Sequence, residues 1–155
     1  MQEIRGIDNF GPLLVTVARR WRLELDYQLA KVGLSDATWG PLFHLAGARA
    51  PLTQKELAAS IGIDGSTLVR LLDSLEERHL VERHSDPADR RTRRIVITPA
   101  GKLLVGQIRK ALRTPEALML EGLSHTKMAA MVEGLEKIQS NLLRLQAPRS
   151  ALHAL

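Results

Sequence analysis

Four arginines, Arg90, Arg91, Arg93 and Arg94, fall within five residues of one another, and Ser66, Thr67 and Arg70 sit close together in the first half of a helical pattern. Neither set makes or breaks a covalent bond unaided. A guanidinium is a permanent cation with five N–H donors, so a cluster of them repels itself unless an anion lies nearby. Short hydroxyls beside an arginine at the start of a helix suit base edges in a major groove. What these residues offer is recognition of a polyanion.

Bond-making chemistry has few candidates. The 155 residues include no cysteine, which removes disulfides, thiolate metal sites, cysteine nucleophiles and thiol switches together. The five histidines, His44, His79, His84, His125 and His153, show neither HxxxH nor HExxH spacing, so no metal site is expected. There is no G-x-S-x-G elbow, no phosphate-cradling glycine loop and no carboxylate pair outside charged helix faces. A non-enzyme without a cofactor is the expectation. Twenty-two Lys and Arg against seventeen Asp and Glu give a net charge of +5, which favours polyanionic partners. Aromatic residues are too few, at two Phe, two Trp and one Tyr, for base stacking on single-stranded RNA. No run of about eighteen apolar residues is long enough to span a membrane, and residues 1–12 lack the apolar stretch of a signal peptide. Duplex DNA in the cytoplasm is the expected setting.

The elements that must position these residues read mainly as helices. From Phe10 to Val32, the residues Leu14, Ala18, Trp21, Leu25, Leu29 and Val32 recur at spacings of three and four, an amphipathic helix ended by Gly33. Ser35 or Asp36 can cap a second helix through Trp39, Leu42, Phe43 and Leu45, closed by Pro51. Thr53 and Glu56 form a capping-box pattern for a short third helix that Gly62 stops. Asp64 can cap a fourth, with Leu68, Leu71, Leu72 and Leu75 as its buried stripe. Leu80–Ser85 and Ile95–Thr98 bracket the polar run 86–94 as a β-hairpin with a basic tip. Thr98-Pro99 opens a helix through Leu103, Leu104, Ile108 and Leu112, which Pro115 should kink or break. Ser124 begins the last helix, whose Met128, Met131, Leu135, Ile138, Leu142 and Leu145 repeat like a coiled-coil seam before a frayed tail after Pro148.

Two helices joined through a glycine turn and followed at once by a basic hairpin form a winged helix-turn-helix. The expected fold is mainly α with a small β-hairpin wing and an α-helical dimerisation lobe. It divides into a dimerisation helix (1–34), the winged DNA-binding region (35–98) and C-terminal dimerisation helices (99–155). In an arbitrary helix Ser66 and Thr67 would only satisfy the helix N-terminus and Arg70 would be solvated; the neighbouring arginine hairpin reverses that balance. Ser66, Thr67 and Arg70 are therefore expected in a major groove. Arg90, Arg91 and Arg93 are expected at a minor groove or phosphates, with Asp89 steering an arginine.

The stretch LTQKELAASIGIDGSTLVRLLDSLEERHLVERHSDPADRRTRRIVITPAG, and above all LVRLLDSLEE, LVER, DRR and RIVIT in that order, resembles the DNA-binding lobe of the MarR transcription regulators; the Trp21-Arg22 and Trp39 neighbourhoods look like the SlyA branch. The resemblance implies a homodimer on a pseudo-palindromic operator, modulated by a small aromatic carboxylate or phenol. It matches Ser66 and Arg70 to recognition-helix contacts and Asp89, Arg90 and Arg91 to the wing. Leu14, Trp21, Met131, Leu135, Ile138 and Leu142 are the expected dimer contacts. Arg19, Arg20, Trp39, Phe43 and His44 are the expected border of an effector crevice. Gly65 departs from a frequent proline at the helix start, and His79 stands where a glycine usually takes the left-handed conformation. An architectural DNA binder without a physiological ligand is the competing function, because it needs the same phosphate contacts.

Overall fold

The computed structural model describes residues 7–34 and 38–152. Its elements are α1 (Ile7–Lys31), α2 (Trp39–Gly47), β1 (Leu52–Thr53), α3 (Gln54–Ile61), α4 (Gly65–Glu77), β2 (Val81–Ser85), β3 (Arg93–Ile97), α5 (Pro99–Met119) and α6 (His125–Leu152). The chain is mainly α with a small antiparallel sheet, as its periodicities predict. Two compact units meet in sequence between Glu116 and Ala117.

Local signals account for most boundaries in the first unit. Gly33 adopts φ +74°, and the N–H of Leu34 bonds the carbonyl of Leu29 at 2.9 Å, which closes the end of α1. Ser35 and Asp36, the expected caps of α2, lie outside the described residues; α2 follows Thr38, whose hydroxyl accepts from Arg78 at 3.1 Å. Thr53 and Glu56 complete the capping box of α3 in both directions, at 3.1 and 2.7 Å. Gly62, at φ +78°, stops that helix. In α4, Leu68, Leu72 and Leu75 are fully buried, while Leu71 is only partly so. They share a core with Leu42, Leu45, Leu57, Val81, Ile95 and Val105, so α2, α3, α4, the hairpin and α5 enclose one apolar interior.

Three expectations need correction. The sheet has three strands, in the order β1-β3-β2, because Leu52 and Thr53 pair with Ile95 and Arg94. Two residues are too short to show an alternating pattern. The second hairpin strand also starts at Arg93 rather than Ile95, since Arg93 and Arg94 pair with Ser85 and His84. Pro115 does not interrupt α5, which continues to Met119. Proline removes one N–H donor, and here the loss falls close to the end of a 21-residue helix. In the second unit, the side chain of Ser124 accepts from the N–H of Lys127 at 3.3 Å, and α6 runs past Pro148 to Leu152.

One junction fixes where the hairpin leaves the helices. His79 takes φ +56°, the left-handed conformation expected for it, and Leu80 then donates its N–H to Leu75 at 2.9 Å. Thr98 returns from the other strand: its N–H meets the Leu80 carbonyl at 3.1 Å, and its hydroxyl donates to the His79 carbonyl at 2.8 Å while accepting from the N–H of Gly101 at 3.0 Å. The close approach requires a bare backbone at Gly101, where a Cβ would sit 2.2 Å from the Leu80 carbonyl oxygen. Gly101→Ala is expected to cost about 1–3 kcal/mol of stability, because a backbone carbonyl cannot step aside cheaply. Gly106→Ala, with nothing within 4 Å on the same helix, should be neutral or stabilising by up to about 1 kcal/mol. Urea denaturation of the two variants checks the contrast.

Candidate nucleic-acid interface

Asp64 organises the start of α4. Its carboxylate accepts from the N–H of Thr67 at 2.9 Å, the hydroxyl of Ser66 at 2.5 Å and the hydroxyl of Thr67 at 2.6 Å. The Ser66 hydroxyl, then the hydroxyl and N–H of Thr67, hold the Asp64 carboxyl well below the usual carboxylate range. Ser66, Thr67 and Arg70 are all exposed. The three residues expected to read bases therefore lie within little more than one turn on an open stretch of helix.

The hairpin tip is built by its own aspartates. Asp86 accepts from the N–H of Ala88 at 2.8 Å and from Arg94 Nε at 2.5 Å, and the first of these contacts holds its carboxyl below the ordinary range. Asp89 accepts from the N–H of Arg91 and the hydroxyl of Thr92, both at 3.0 Å. Asp89 thus shapes the turn backbone, where ion pairing with an arginine was expected of it. Arg94 turns inward, donating also to the Pro51 carbonyl at 2.9 Å, and Arg93 donates to Ser85 at 3.0 Å. Arg90 and Arg91 remain exposed, with no side-chain hydrogen bond or ion pair among the described residues. Of the four clustered arginines, two build the wing and two project from its tip.

Between this hairpin and the helices lies a groove of about 570 Å³, lined by Thr53, Gln54, Lys55, Ala58, Gly65, Thr92 and Arg93. It joins the first turn of α3, the first residue of α4 and the start of β3. Lys55 and Arg93 are its cations, and none of the described residues lining it is an acid.

Sequence reasoning missed the residue that fastens β2 to α4. Arg83 donates to Glu76 and to Asp73, each at 2.6 Å. The guanidinium is mostly buried, and its Nε has no hydrogen-bond partner among the described residues. A signal was present: alternation along the strand puts Arg83 on the same face as the buried Val81, so a charge points inward and requires acids opposite.

The expected effector residues are only partly brought together. Trp39 and Phe43 meet edge to face, with centroids 5.7 Å apart. The cations over their rings are Arg22, 4.2 Å from Trp39, and Arg109, 5.6 Å from Phe43. Asp26 joins the group, accepting from Trp39 Nε1 at 3.1 Å and from Arg22. Arg19, Arg20 and His44 are exposed, and among the described residues no cation–π or ring contact joins them to Trp39 or Phe43. The cavity beside Trp39, lined also by Leu42, Arg78, Leu104 and Ile108, holds about 60 Å³. That is the space of roughly two waters.

Arg83→Met is expected to lower stability by about 1–3 kcal/mol, since two charge-assisted hydrogen bonds are lost while the stem's packing is kept. Asp73→Asn should cost less, because Glu76 still receives the guanidinium. Urea denaturation gives the ranking, and faster amide exchange in β2 for Arg83→Met would place the loss at this fastening.

The MarR family model matches residues 32–92, which hold α2, α3, α4 and the hairpin up to the turn before β3. The solved transcriptional regulator PA3341 is 42% identical, with a TM-score of 0.75 over 86% of this chain and 97% of that one. CouR from Rhodococcus jostii RHA1, solved bound to p-coumaroyl-CoA, is 30% identical, with a TM-score of 0.73 over 85% of this chain and 92% of that one. The transcriptional regulator SlyA shares the fold at 20% identity, with a TM-score of 0.72 over 88% of this chain and 95% of that one. With a capped α4, a basic hairpin and this likeness along nearly its whole described length, the chain belongs to the MarR family of transcriptional regulators.

Proposed function

We propose that this regulator binds duplex DNA sequence-specifically as a homodimer and that a small aromatic carboxylate or phenol lowers its affinity for the operator. The observation that carries the DNA reading is the wing tip. Asp86 and Asp89 are held by the turn and by Arg94, and the exposed guanidiniums of Arg90 and Arg91 have no ion-pair partner among the described residues. Two adjacent cations held out this way favour a polyanion, and a narrow minor groove supplies the deepest negative potential. In this reading Ser66, Thr67 and Arg70 address base edges in the major groove. Arg93, at the groove between wing and helices, meets a phosphate, and Asp89 acts by holding the tip.

Exposed apolar surface supports the homodimer. On α1, Phe10, Leu13 and Val17 are exposed, and Leu14 and Trp21 are partly so. On α6, Met131 is 49%, Leu135 45% and Leu142 50% exposed, with Ile138 on the same stripe. Large aliphatic side chains repeated along a long helix favour cover by a partner. The effector reading draws on CouR, whose ligand carries a phenolic acyl group. In this chain Trp39, Phe43 and the cations around them suit an aromatic anion, with Arg19, Arg20 and His44 as its outer border. A cavity of about 60 Å³ is too small for a benzoate ring, so such an effector would enter by separating side chains that now touch. By linkage, DNA would then weaken the effector by the same factor.

Fluorescence titration of a palindromic operator should saturate at two chains per duplex. Arg90→Ala or Arg91→Ala should weaken binding most on A·T-rich flanks and reduce the salt slope by about 1, while Arg70→Ala should relax base preference by roughly 1–3 kcal/mol. Unchanged affinity and slope in both wing variants would remove the hairpin from the interface. Salicylate or benzoate at millimolar concentration should release wild-type protein from the operator. Arg20→Ala should respond less. No response of the wild type to either acid would eliminate the aromatic-acid effector.

A further inference from the structure

The three hydrogen bonds received by Asp64 decide more than the start of a helix. A hydroxyl carries one proton and two lone-pair positions, so an uncommitted serine or threonine can rotate to meet a donor or an acceptor. At base edges such residues discriminate poorly. Here neither side chain retains that freedom. Ser66 donates its proton to Asp64 Oδ1 at 2.5 Å, and Thr67 donates its own to Oδ2 at 2.6 Å. Both distances lie in the short range of an O–H bond to a charged acceptor, about twice as strong as a neutral pair. The N–H of Thr67, at 2.9 Å from Oδ1, fixes the carboxylate in that pose. All four groups sit on the exposed start of α4, so the hydroxyl oxygens present only lone pairs to whatever lies in front of the helix.

The major-groove edges of the bases differ in this respect. Adenine offers the N6 amino group and cytosine the N4 amino group as donors; guanine O6 and N7 and thymine O4 are acceptors. A hydroxyl that has given away its proton can bond an amino group. Against guanine or thymine it sets oxygen against an acceptor, with nothing between them. We propose that Asp64 sets the reading polarity of α4: by holding the protons of Ser66 and Thr67, it makes these residues select adenine or cytosine at the position they address. Arg70, which only donates, reads with the opposite sign one turn further on. Asp64 is a positioning residue here, and the inference rests on the proposal that α4 reads a major groove.

Selection from a randomised duplex pool, followed by direct competition at fixed salt, tests this with four proteins: wild type, Asp64→Asn, the double variant Ser66→Ala/Thr67→Val, and Arg90→Ala. Asparagine caps a helix as well as aspartate does, and melting followed by circular dichroism verifies the fold. Its amide nitrogen donates where the second carboxylate oxygen accepted, which releases the Thr67 proton. The double variant identifies the position concerned as the one where it loses preference. Wild type should favour adenine or cytosine there by about tenfold over guanine or thymine. Asp64→Asn should reduce that ratio to about twofold or less, a change of polarity that loss of helix capping alone would not produce. Arg90→Ala should keep the ratio while binding more weakly. Preference for guanine or thymine in the wild type, an unchanged ratio in Asp64→Asn, or a double variant that loses preference nowhere would each overturn the inference while leaving DNA binding intact. A wild type that enriches no sequence would instead overturn the sequence-specific reading, and this one with it.

Discussion

The contact on which the rest of this molecule depends is the approach of Gly101 to the carbonyl of Leu80. Four segments cross there: the end of α4, the start of β2, the end of β3 and the first turn of α5. The left-handed His79 turns the chain out of α4, and Thr98 binds both His79 and Leu80 before capping α5. Because the hairpin both leaves and returns at this crossing, its direction relative to α4 is set by a handful of backbone hydrogen bonds. The apolar core then holds α4 and the hairpin against α2, α3 and α5. A side chain of even one carbon at position 101 would pry the crossing apart.

Around that frame the charges divide by duty. Six acids are committed to the frame: Glu56 to the cap of α3, Asp64 to the cap of α4, Asp86 and Asp89 to the wing turn, and Asp73 and Glu76 to Arg83. For Glu56, Asp64 and Asp86 the hydrogen bonds depress the carboxyl pKa, so the stability they contribute is present above the ordinary carboxylate range and is lost as acidification passes through the depressed values. Arginine is split. Arg83 and Arg94 are internal fasteners, whereas Arg70, Arg90 and Arg91 are exposed. At the hairpin the pairing is uneven: Arg94 is paired with Asp86, and Arg90 and Arg91 are exposed with no ion-pair partner among the described residues.

What was legible in the sequence is what neighbouring residues decide. The capping box of Thr53 and Glu56, the stop at Gly62, the cap at Asp64 and the Thr98-Pro99 start each involve residues a few positions apart, and each is where its pattern put it, while the left-handed His79 is where the family resemblance implied it. The stripe in α4 was legible because burial follows helical periodicity. Partnerships across long stretches of chain were not. The pairing of Leu52 with Ile95, the reach of Arg94 to the Pro51 carbonyl and the placing of Arg109 over Phe43 depend on how elements dock, which no local pattern encodes. The same reason separates Arg19 and Arg20 from the aromatic pair. All lie near one another in the expected order of elements, yet it is Arg22 that α1 presents to Trp39. Met128 to Leu145 were correctly read as one helix, with its apolar positions repeating as a stripe.

The bond from Arg94 to the Pro51 carbonyl gives the wing a mechanical character. Arg94 is held on one side by Asp86 and on the other by the Pro51 carbonyl in the loop between α2 and β1, so the hairpin is tied to that loop as well as to α4. From that anchor to the tip is roughly 10 Å of chain at about 3.3 Å per extended residue. A stiff arm of that length magnifies motion at its pivot: a tilt of about 15° would carry the guanidiniums of Arg90 and Arg91 sideways by roughly 3 Å, about the rise of a single base pair. In the proposed DNA-bound state, a tilt at that pivot would therefore move both cations by about one base step along the duplex.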